Sequence, residues 1–478
     1  MKKRVLMPLL FLAGLSGCTQ MQPGLGFDDV KQSVSQRTGG KVHWNTGSPE
    51  DAQVKAAVSE MLSKDLSAEE AVQVALLSNR ELQAVYEELN IAQADVVQAG
   101  LLKNPVFSGE FRVETGGAGG NGPGIVLDVA QDFVSLLSMP LRKSRAQAAF
   151  EATKLRVTAD VLDLAFDVRT SFYDYQAAEQ TREMRGTVLE AMAASYDLSK
   201  RLRQAGNNRD LDVSNERAMY EQAKVDLAAA EATVVAARER MNALMGLWGE
   251  AAASWRTAHR LPSITDEEIA QEGLERKAID ASLDLGVLRR EAEIAARTAG
   301  IARPFAWLDD AEIGVAAERE TDGQWSVGPS LSVPIPIFDQ GQAKIAEAQA
   351  RYRQASERTI ARAVEIRSRV RAAYSALQSA HDRARYYEKV MLPLRGQIVG
   401  QTQLQYNGMQ VSAFQLLQSK RDQVETGAQY VSALHEYWEA RATLNQILAG
   451  RMTPFEQSSI GSFTMGTSSG SAADGDHR

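Results

Sequence analysis

Few side chains in this 478-residue chain are arranged to do chemistry. The five histidines are scattered, and the 14 methionines form no cluster that would bind a soft metal. The sequence has neither the Gly-x-x-x-x-Gly-Lys pattern of a phosphate-binding loop nor the His-Glu-x-x-His pattern of a zinc helix. We therefore predict no enzyme activity, no cofactor and no metal site.

The single cysteine, Cys18, stands in a pattern typical of covalent modification. A basic segment, residues 1–4, precedes an apolar stretch over residues 5–15 that has the length of a signal-peptide core and is too short to cross a bilayer. Leu15-Ser16-Gly17-Cys18 resembles a bacterial lipobox, which predicts removal of residues 1–17 and acylation of Cys18, with palmitate among the lipids. Thr19, which is not acidic, favours the outer membrane. The alternative is a buried free thiol.

Composition indicates long helices. The net charge is -8 and the basic residues are spread along the chain, which argues against a nucleic-acid partner. One span with no proline runs from Leu141 to about Gln204, which as a helix is on the order of 90 Å long. The matching span, Gln342 to Gln405, contains only Pro393, which we expect to kink or split the helix. Apolar residues in heptad-like spacing predict helix packing, with His435 as a packed residue.

The chain contains an internal repeat. Residues 198–247 align with residues 400–450, so that Gly206 matches Gly408 and Asn242 matches Asn445. We divide the chain into a signal peptide (1–17), a lipidated N-terminal and equatorial segment (18–66), a first repeat (67–248), an equatorial linker (249–264), a second repeat (265–451) and a C-terminal tail (452–478) that is expected to be disordered. Each repeat is predicted to hold a helix, a strand hairpin (104–134 or 307–338) and a long helical hairpin (140–247 or 340–450).

Each repeat begins with a helix and continues into strands. Ser67 and Glu70 form a predicted capping box for a helix from Ala68 to Leu102. Both hairpin regions alternate apolar and polar residues with period 2, as strands do. Pro329 inside the last strand predicts a bulge or an edge position. Each strand approaches the ~9 to 11 residues of a tilted membrane-crossing strand, and the alternative is a half-buried soluble hairpin.

A longer motif suggests a family. Val333-Pro334-Ile335-Pro336-Ile337-Phe338-Asp339-Gln340-Gly341-Gln342-Ala343 resembles the place in TolC-type outer-membrane efflux proteins where a strand leaves the membrane and enters a long helix. Asp339 can cap that helix, with Gln342 three residues on. Met139-Pro140-Leu141 stands at the equivalent place in the first repeat. The helix turns Gln204-Ala205-Gly206 and Tyr406-Asn407-Gly408 are similar to the second motif of that family.

The resemblance implies an α+β membrane protein: a homotrimer with a 12-stranded outer-membrane β-barrel, four strands per subunit, continued by a long periplasmic α-helical barrel. It implies a passive exit duct that receives substrates from a periplasmic adaptor (a membrane fusion protein) and an inner-membrane pump of the resistance-nodulation-division type. Thr19 to Ser63, Gly249 to Pro262 and the residues after Thr453 would form an equatorial belt. The alternative function is a lipid-anchored periplasmic coiled-coil scaffold without channel activity.

The same resemblance places the periplasmic tip and adaptor docking site at the helix turns, with Gly206, Tyr406, Asn407 and Gly408. Glycine is expected to supply a left-handed residue in each turn. The candidate aperture residues are Asp210 and Asp212 in the first repeat and Ala413 and Gln415 in the second. A carboxylate ring that selects cations is thus supported only by the first repeat, and the alternative is that Asp210 caps the following helix.

Overall fold

The computed structural model describes residues 21–112, 123–258, 260–265, 269–305, 311–320, 323–335 and 337–452. Four sequence predictions lie outside these residues: the signal peptide over residues 1–17, the lipidation of Cys18, the role of Pro336 and the C-terminal tail beyond Met452.

The first part of the chain forms six helices and three strands. They are α1 (Phe27–Thr38), α2 (Pro49–Leu62), β1 (Asp65–Leu66), α3 (Ala68–Ser78), α4 (Arg80–Ala99), β2 (Val106–Arg112), β3 (Gly124–Asp132), α5 (Phe133–Gln204) and α6 (Asp210–Met245). From α3 onward the order is two helices, a strand hairpin and a long helical hairpin.

The second part repeats that order. After α7 (Glu250–Ser254) and β4 (Arg256–Thr257) come α8 (Leu274–Ala281), α9 (Leu283–Phe305), β5 (Glu312–Arg319), β6 (Trp325–Ser332), α10 (Gln342–Tyr386), a π turn (Tyr387–Met391), α11 (Leu392–Asn407) and α12 (Ala413–Leu448). The internal repeat and the two strand hairpins predicted from the sequence are therefore present in the fold.

The predicted helix from Ala68 to Leu102 is broken in the structure. Its capping box is confirmed, because Ser67 Oγ accepts from Glu70 N at 3.2 Å and Glu70 Oε2 accepts from Ser67 N at 2.8 Å. The break lies at Asn79, whose Oδ1 accepts from Leu82 N and whose Nδ2 donates to the carbonyl of Leu244 at the end of α6. The chain bends here because the end of α6 packs against it; a Cβ on Gly246 would lie 2.7 Å from the carbonyl oxygen of Ser78.

The long helices exceed their predicted length. α5 has 72 residues and is about 108 Å long at the standard helical rise. In the second repeat the π turn widens the helix just before Pro393, the second residue of α11. A proline has no backbone N–H, and a widened turn accommodates its loss within a continuing helix. Within the described residues, no helix combines the length and the hydropathy that crossing a membrane requires.

A belt of shorter elements surrounds the middle of α5. Lys154 Nζ pairs with Asp29 of α1 at 2.7 Å, and Gln176 Nε2 donates to the carbonyl of Ala258 at 2.9 Å. β1 and β4 pair in parallel and join the segments before α3 and after α7. The largest apolar core lies here and includes the fully buried Trp255. The N-terminal and linker segments for which a belt was predicted thus pack against α5.

Candidate functional site

The four strands of the hairpins form one antiparallel sheet in the order β2-β3-β5-β6. β3 and β5 join the two repeats, with Val129 opposite Val315. Pro329 lies in β6, an outer strand of this sheet, and pairs in unbroken register with Val315 of β5. Of the two predicted roles of Pro329, the edge position is correct and the bulge is wrong, because the ladder shows no extra residue.

The sheet has one apolar and one polar face. On the apolar face the exposed side chains alternate along the strands and are Phe107, Phe111, Val129, Ile313, Val315, Trp325, Val327 and Leu331. On the opposite face, Arg112 pairs with Glu110 at 3.1 Å and Glu318 at 3.5 Å, and Ser330 Oγ donates to Asp128 at 2.8 Å. A sheet of this kind can face lipid on one side and water on the other.

The first transition from strand to helix lies earlier than predicted. β3 pairs with β5 up to Asp132, and Asp132 Oδ1 accepts from Ser135 N at 2.8 Å, which caps α5. Pro140 is therefore not at the transition but inside the helix. A proline holds φ at a helical value, so it fits within the helix at the loss of one backbone hydrogen bond.

The second transition is capped by a different residue from the one predicted. α10 begins at Gln342, and the residue before it is Gly341, which has a left-handed φ of 77°. Asp339 Oδ1 accepts from Gly341 N at 2.7 Å, so Asp339 closes the turn before the helix and does not cap the helix itself. Pro334 lies after the end of β6, as expected for a residue that ends strand pairing.

The turn between α5 and α6 follows the prediction. Gly206 has φ 78°, and Asn207 N donates to the carbonyl of Leu202 at 2.8 Å while Gly206 N donates to that of Arg203 at 3.0 Å. These two bonds define a helix ending in which one residue is left-handed, the conformation that glycine adopts without strain.

The turn between α11 and α12 differs from the prediction. Gly408 has φ -83°, and the left-handed residue is Met409 with φ 55°. Gln410 N donates to the carbonyl of Gln405, and Met409 N donates to that of Tyr406, both at 2.9 Å. Gly206 is therefore equivalent to Met409 and not to Gly408, because the same two bonds recur 203 residues later. Tyr406 and Asn407 form the last turn of α11.

Both carboxylates of the predicted aperture, Asp210 and Asp212, are paired with arginines. Arg203 binds Asp210 through two bonds, Nε to Oδ1 at 2.5 Å and Nη2 to Oδ2 at 3.0 Å, and holds the pKa of Asp210 below its usual value. Asp212 accepts from the backbone N of Arg209 at 3.3 Å and pairs with its side chain at 3.2 Å. The alternative that Asp210 caps the helix is wrong, since Asp210 is already the first residue of α6.

The second repeat has no charge at the equivalent positions. Ala413 is the first residue of α12, and Gln415 completes a capping box with Ser412, whose Oγ accepts from Gln415 N at 3.3 Å. Exposed apolar side chains surround this turn, and Met409 is 95% exposed. The two turns of one chain thus present different surfaces. Among the described residues, no three His, Cys, Asp or Glu side chains are grouped to hold a metal ion.

An acidic stripe on α5 was not predicted from the sequence. Asp160, Asp163 and Asp167 follow helical spacing, and burial raises the pKa of each, that of Asp160 to about 6. Arg451 joins Asp163 to Asp284 of α9, with distances of 2.7 and 2.5 Å. The i, i+3, i+7 spacing of the three aspartates is a sequence signal for the stripe. Its pairing with Arg451 could not be predicted, because Arg451 is distant in the chain.

Comparison with known proteins agrees with this geometry. Residues 280–450 match the outer membrane efflux protein family. The cobalt-zinc-cadmium resistance protein CzcC of Cupriavidus metallidurans is 23% identical over 395 residues, which cover 80% of this chain and 90% of that protein.

Two solved structures share the fold. CusC, studied for the conformational changes that accompany folding and transmembrane channel formation, superposes with a TM-score of 0.65 at 17% identity over 82% of this chain and 94% of that one. The Campylobacter jejuni CmeC outer membrane channel superposes with a TM-score of 0.66 at 13% identity over 80% of this chain and 86% of that one. The family match, the relative that covers most of the chain and the shared fold support the resemblance of this chain to TolC-type outer-membrane efflux proteins.

Proposed function

We propose that this protein is the outer-membrane exit duct of a tripartite efflux system and passively conducts substrates from a periplasmic pump and adaptor to the exterior. The observation that carries this proposal is the sheet with an exposed apolar face, joined directly to a 72-residue helix. The sheet at one end of α5 has a face suited to lipid, and the helix turn at the other end of α5 lies about 100 Å away. A duct that passes from the outer membrane deep into the periplasm needs both ends.

Closure of the sheet requires further copies of the chain. Among the described residues of one chain, β2 and β6 each have one partner strand, so each leaves a row of backbone groups unpaired. Such edges are not stable in hydrocarbon, where no water can satisfy them. A homotrimer would pair β6 of each subunit with β2 of the next and close a barrel of twelve strands.

The opposite end supplies the docking surface. Three subunits bring six helix turns together, and a hexameric periplasmic adaptor could contact one turn with each of its subunits. Gly206 lies in the charged turns, while Tyr406, Asn407 and Gly408 adjoin Met409 in the apolar turns. We propose an inner-membrane pump of the resistance-nodulation-division type, in line with the relative named for cobalt, zinc and cadmium resistance.

Lipid attached to Cys18 would anchor the N-terminus to the inner face of the outer membrane. The lipobox-like sequence supports this placement, with the helices extending into the periplasm. The alternative scaffold function would need the apolar face of the sheet to be covered by helices, whereas Phe107, Phe111 and Leu331 are 67, 71 and 74% exposed. The duct is therefore the better-supported function.

A matched pair of strand variants tests the proposal. Phe107→Arg places a charge on the apolar face, where it costs about 2–4 kcal/mol at the bilayer midplane, and Ser108→Arg places the same charge on the polar face. We expect Phe107→Arg to reduce the heat-sensitive trimers in the outer membrane and the efflux they support, and Ser108→Arg to keep both. Equal assembly of the two variants would contradict a membrane-spanning sheet and favour the scaffold.

A further inference from the structure

A cavity of about 710 Å³ lies in the belt, and the proposed export function does not use it. α5 forms one wall, and the others come from the ends of α1 and α12, from α3 and from α8. A cavity of this volume is large enough for a drug-sized molecule.

The charges around the cavity are mostly positive. Arg37, Arg169, Lys277 and Arg441 line it, against the single carboxylate of Glu69. Arg169 and Glu69 are 3.7 Å apart, and the glutamate side chain is 72% exposed, so this ion pair is weak. A net positive charge around a concave site favours an anion.

Two of these cations lack a carboxylate partner within the described residues. Arg37 Nη1 donates to the carbonyls of Ala281 at 2.6 Å and Ala449 at 2.5 Å, which hold the guanidinium in place without neutralising it. Burial lowers the pKa of Arg37, which reflects the loss of water around its charge. Lys277 makes no salt bridge in the described part of the chain and is exposed at the cavity. Both can therefore receive an anionic group.

Aromatic rings line the same cavity. The rings of Tyr173 and Trp438 lie 5.2 Å apart with an angle of 30° between their planes. Burial raises the pKa of Tyr173 to about 12, so its hydroxyl remains a neutral donor at neutral pH. The wall is thus suited to a flat ring as well as to a charge.

The internal repeat indicates what such a wall can hold. In the first repeat the Trp255 indole donates to Asn242 Oδ1 at 2.7 Å, and the guanidinium of Arg238 lies 4.3 Å from its ring centre. The equivalent residues 203 positions later are Asn445 and Arg441, and both line the cavity. In the second repeat the guanidinium of Arg441 lies 5.5 Å from the ring centre of Trp438, and Asn445 is exposed to the open space of the cavity.

We propose that this cavity binds an aromatic anion, a planar ring that carries a carboxylate or sulfonate group. Arg37 and Lys277 bind the anionic group, and Trp438, Arg441 and Asn445 contact the ring. The site lies in the belt and includes no residue of the two helix turns, and its occupancy can be measured without transport.

Calorimetric titration of the purified full-length trimer tests this proposal, with the same detergent solution as the reference. The probe is naphthalene-2-sulfonate, compared with the uncharged naphthalene-2-sulfonamide and with inorganic sulfate. We expect saturable binding of the sulfonate alone. Lys277→Gln should weaken it about fivefold to tenfold through loss of a charge-assisted hydrogen bond. Asn445→Trp, at an exposed cavity position, should fill the space and abolish binding.

Lys420→Gln is the matched control, because Lys420 is exposed on α12 and does not line the cavity. It should bind the probe like the unmodified protein, and all variants should migrate as trimers. Absence of saturable sulfonate binding would overturn the proposal. Equal binding of the sulfonamide or of sulfate, or binding that survives both cavity substitutions, would overturn it as well.

Discussion

At the scale of single residues, the two helix turns, α5 to α6 and α11 to α12, show that a left-handed position need not be a glycine. Gly206 occupies that position in one turn and Met409 in the other, while Gly408 has an ordinary negative φ. A Cβ on Gly408 would lie 3.6 Å from the nearest atoms, an ordinary contact. A side chain at position 206 therefore costs conformational free energy because φ is left-handed there. A side chain at position 408 has no such cost.

We expect Gly206→Ala and Gly408→Ala to differ. The first forces a side chain into a left-handed residue and should destabilise its turn by about 1–2 kcal/mol, and the second should be nearly neutral. Hydrogen exchange read by mass spectrometry over residues 199–212 and 402–415 measures each turn locally. Faster exchange around residue 408 than around residue 206 in the respective variants would contradict the assignment.

A second residue-scale prediction concerns Asp160. Burial, and next the charge of Asp163, raise its pKa to about 6. The folded state then holds the proton more tightly than the unfolded state, so stability falls as pH rises from about 4 through about 6. Asp160→Asn should raise the melting temperature at pH 7.5 and lose this advantage at pH 4. Asp95→Asn, at an exposed site on α4, is the control; the same gain there would show that the effect is general charge reduction.

At the scale of elements, one titratable contact joins α12 of the second repeat to α5 of the first. His435 Nε2 lies 2.6 Å from Asp174 Oδ1. This hydrogen bond is the main cause of a raised pKa of His435, and Glu439 and Glu436 contribute. Because the folded pKa exceeds that of the unfolded chain, the stabilisation is complete below about pH 6.5 and declines as pH rises through the folded value.

We expect His435→Gln to lower the melting temperature at pH 6 and to have a smaller effect at pH 9. Thermal unfolding followed by circular dichroism at both pH values measures this difference. His381→Gln is the control, since His381 contacts Asp382, which is 81% exposed. If His435→Gln lowers the melting temperature equally at both pH values, packing and not the ion pair accounts for the stabilisation by His435.

At the scale of the whole molecule, the end of the second repeat is fastened to the first. Arg451 binds both Asp163 of α5 and Asp284 of α9, and Arg37 of α1 binds the carbonyl of Ala449 at the end of α12. A Cβ on Gly450 would lie 2.0 Å from the carbonyl oxygen of Ala281, so the chain passes here only as glycine. These contacts, together with the shared sheet, join the two repeats into one structural unit.

The proposed lipid anchor gives a prediction for the whole protein. Mass spectrometry of the purified chain should show loss of residues 1–17 and added acyl mass on Cys18. Cys18→Ser should slow assembly and leave the trimers in the membrane, because the barrel buries far more apolar surface than acyl chains do. An intact N-terminus or an unmodified thiol in the native protein would contradict the proposal.

Local patterns allowed much of this fold to be predicted. Three features could be predicted from the sequence: the alternating residues of the hairpins, the long spans without proline and the duplicated turns. Each depends on residue types within a short stretch of the chain. The same holds for the capping box at Ser67, which requires only Ser67 and Glu70. The order of elements and the paired repeats were accordingly determined by the sequence.

Tertiary structure decided what depends on residues far apart in the chain. The break at Asn79 follows from the end of α6 packing against it, and the edge position of Pro329 follows from the strand order. The first transition lies at Asp132 because β3 pairs with β5 as far as that residue. The cavity between Arg37 and Asn445 exists only because five helices meet there. Periodicity indicates which face of a helix or strand is buried. Contacts between elements that are distant in the chain determine where that helix or strand ends and what it packs against.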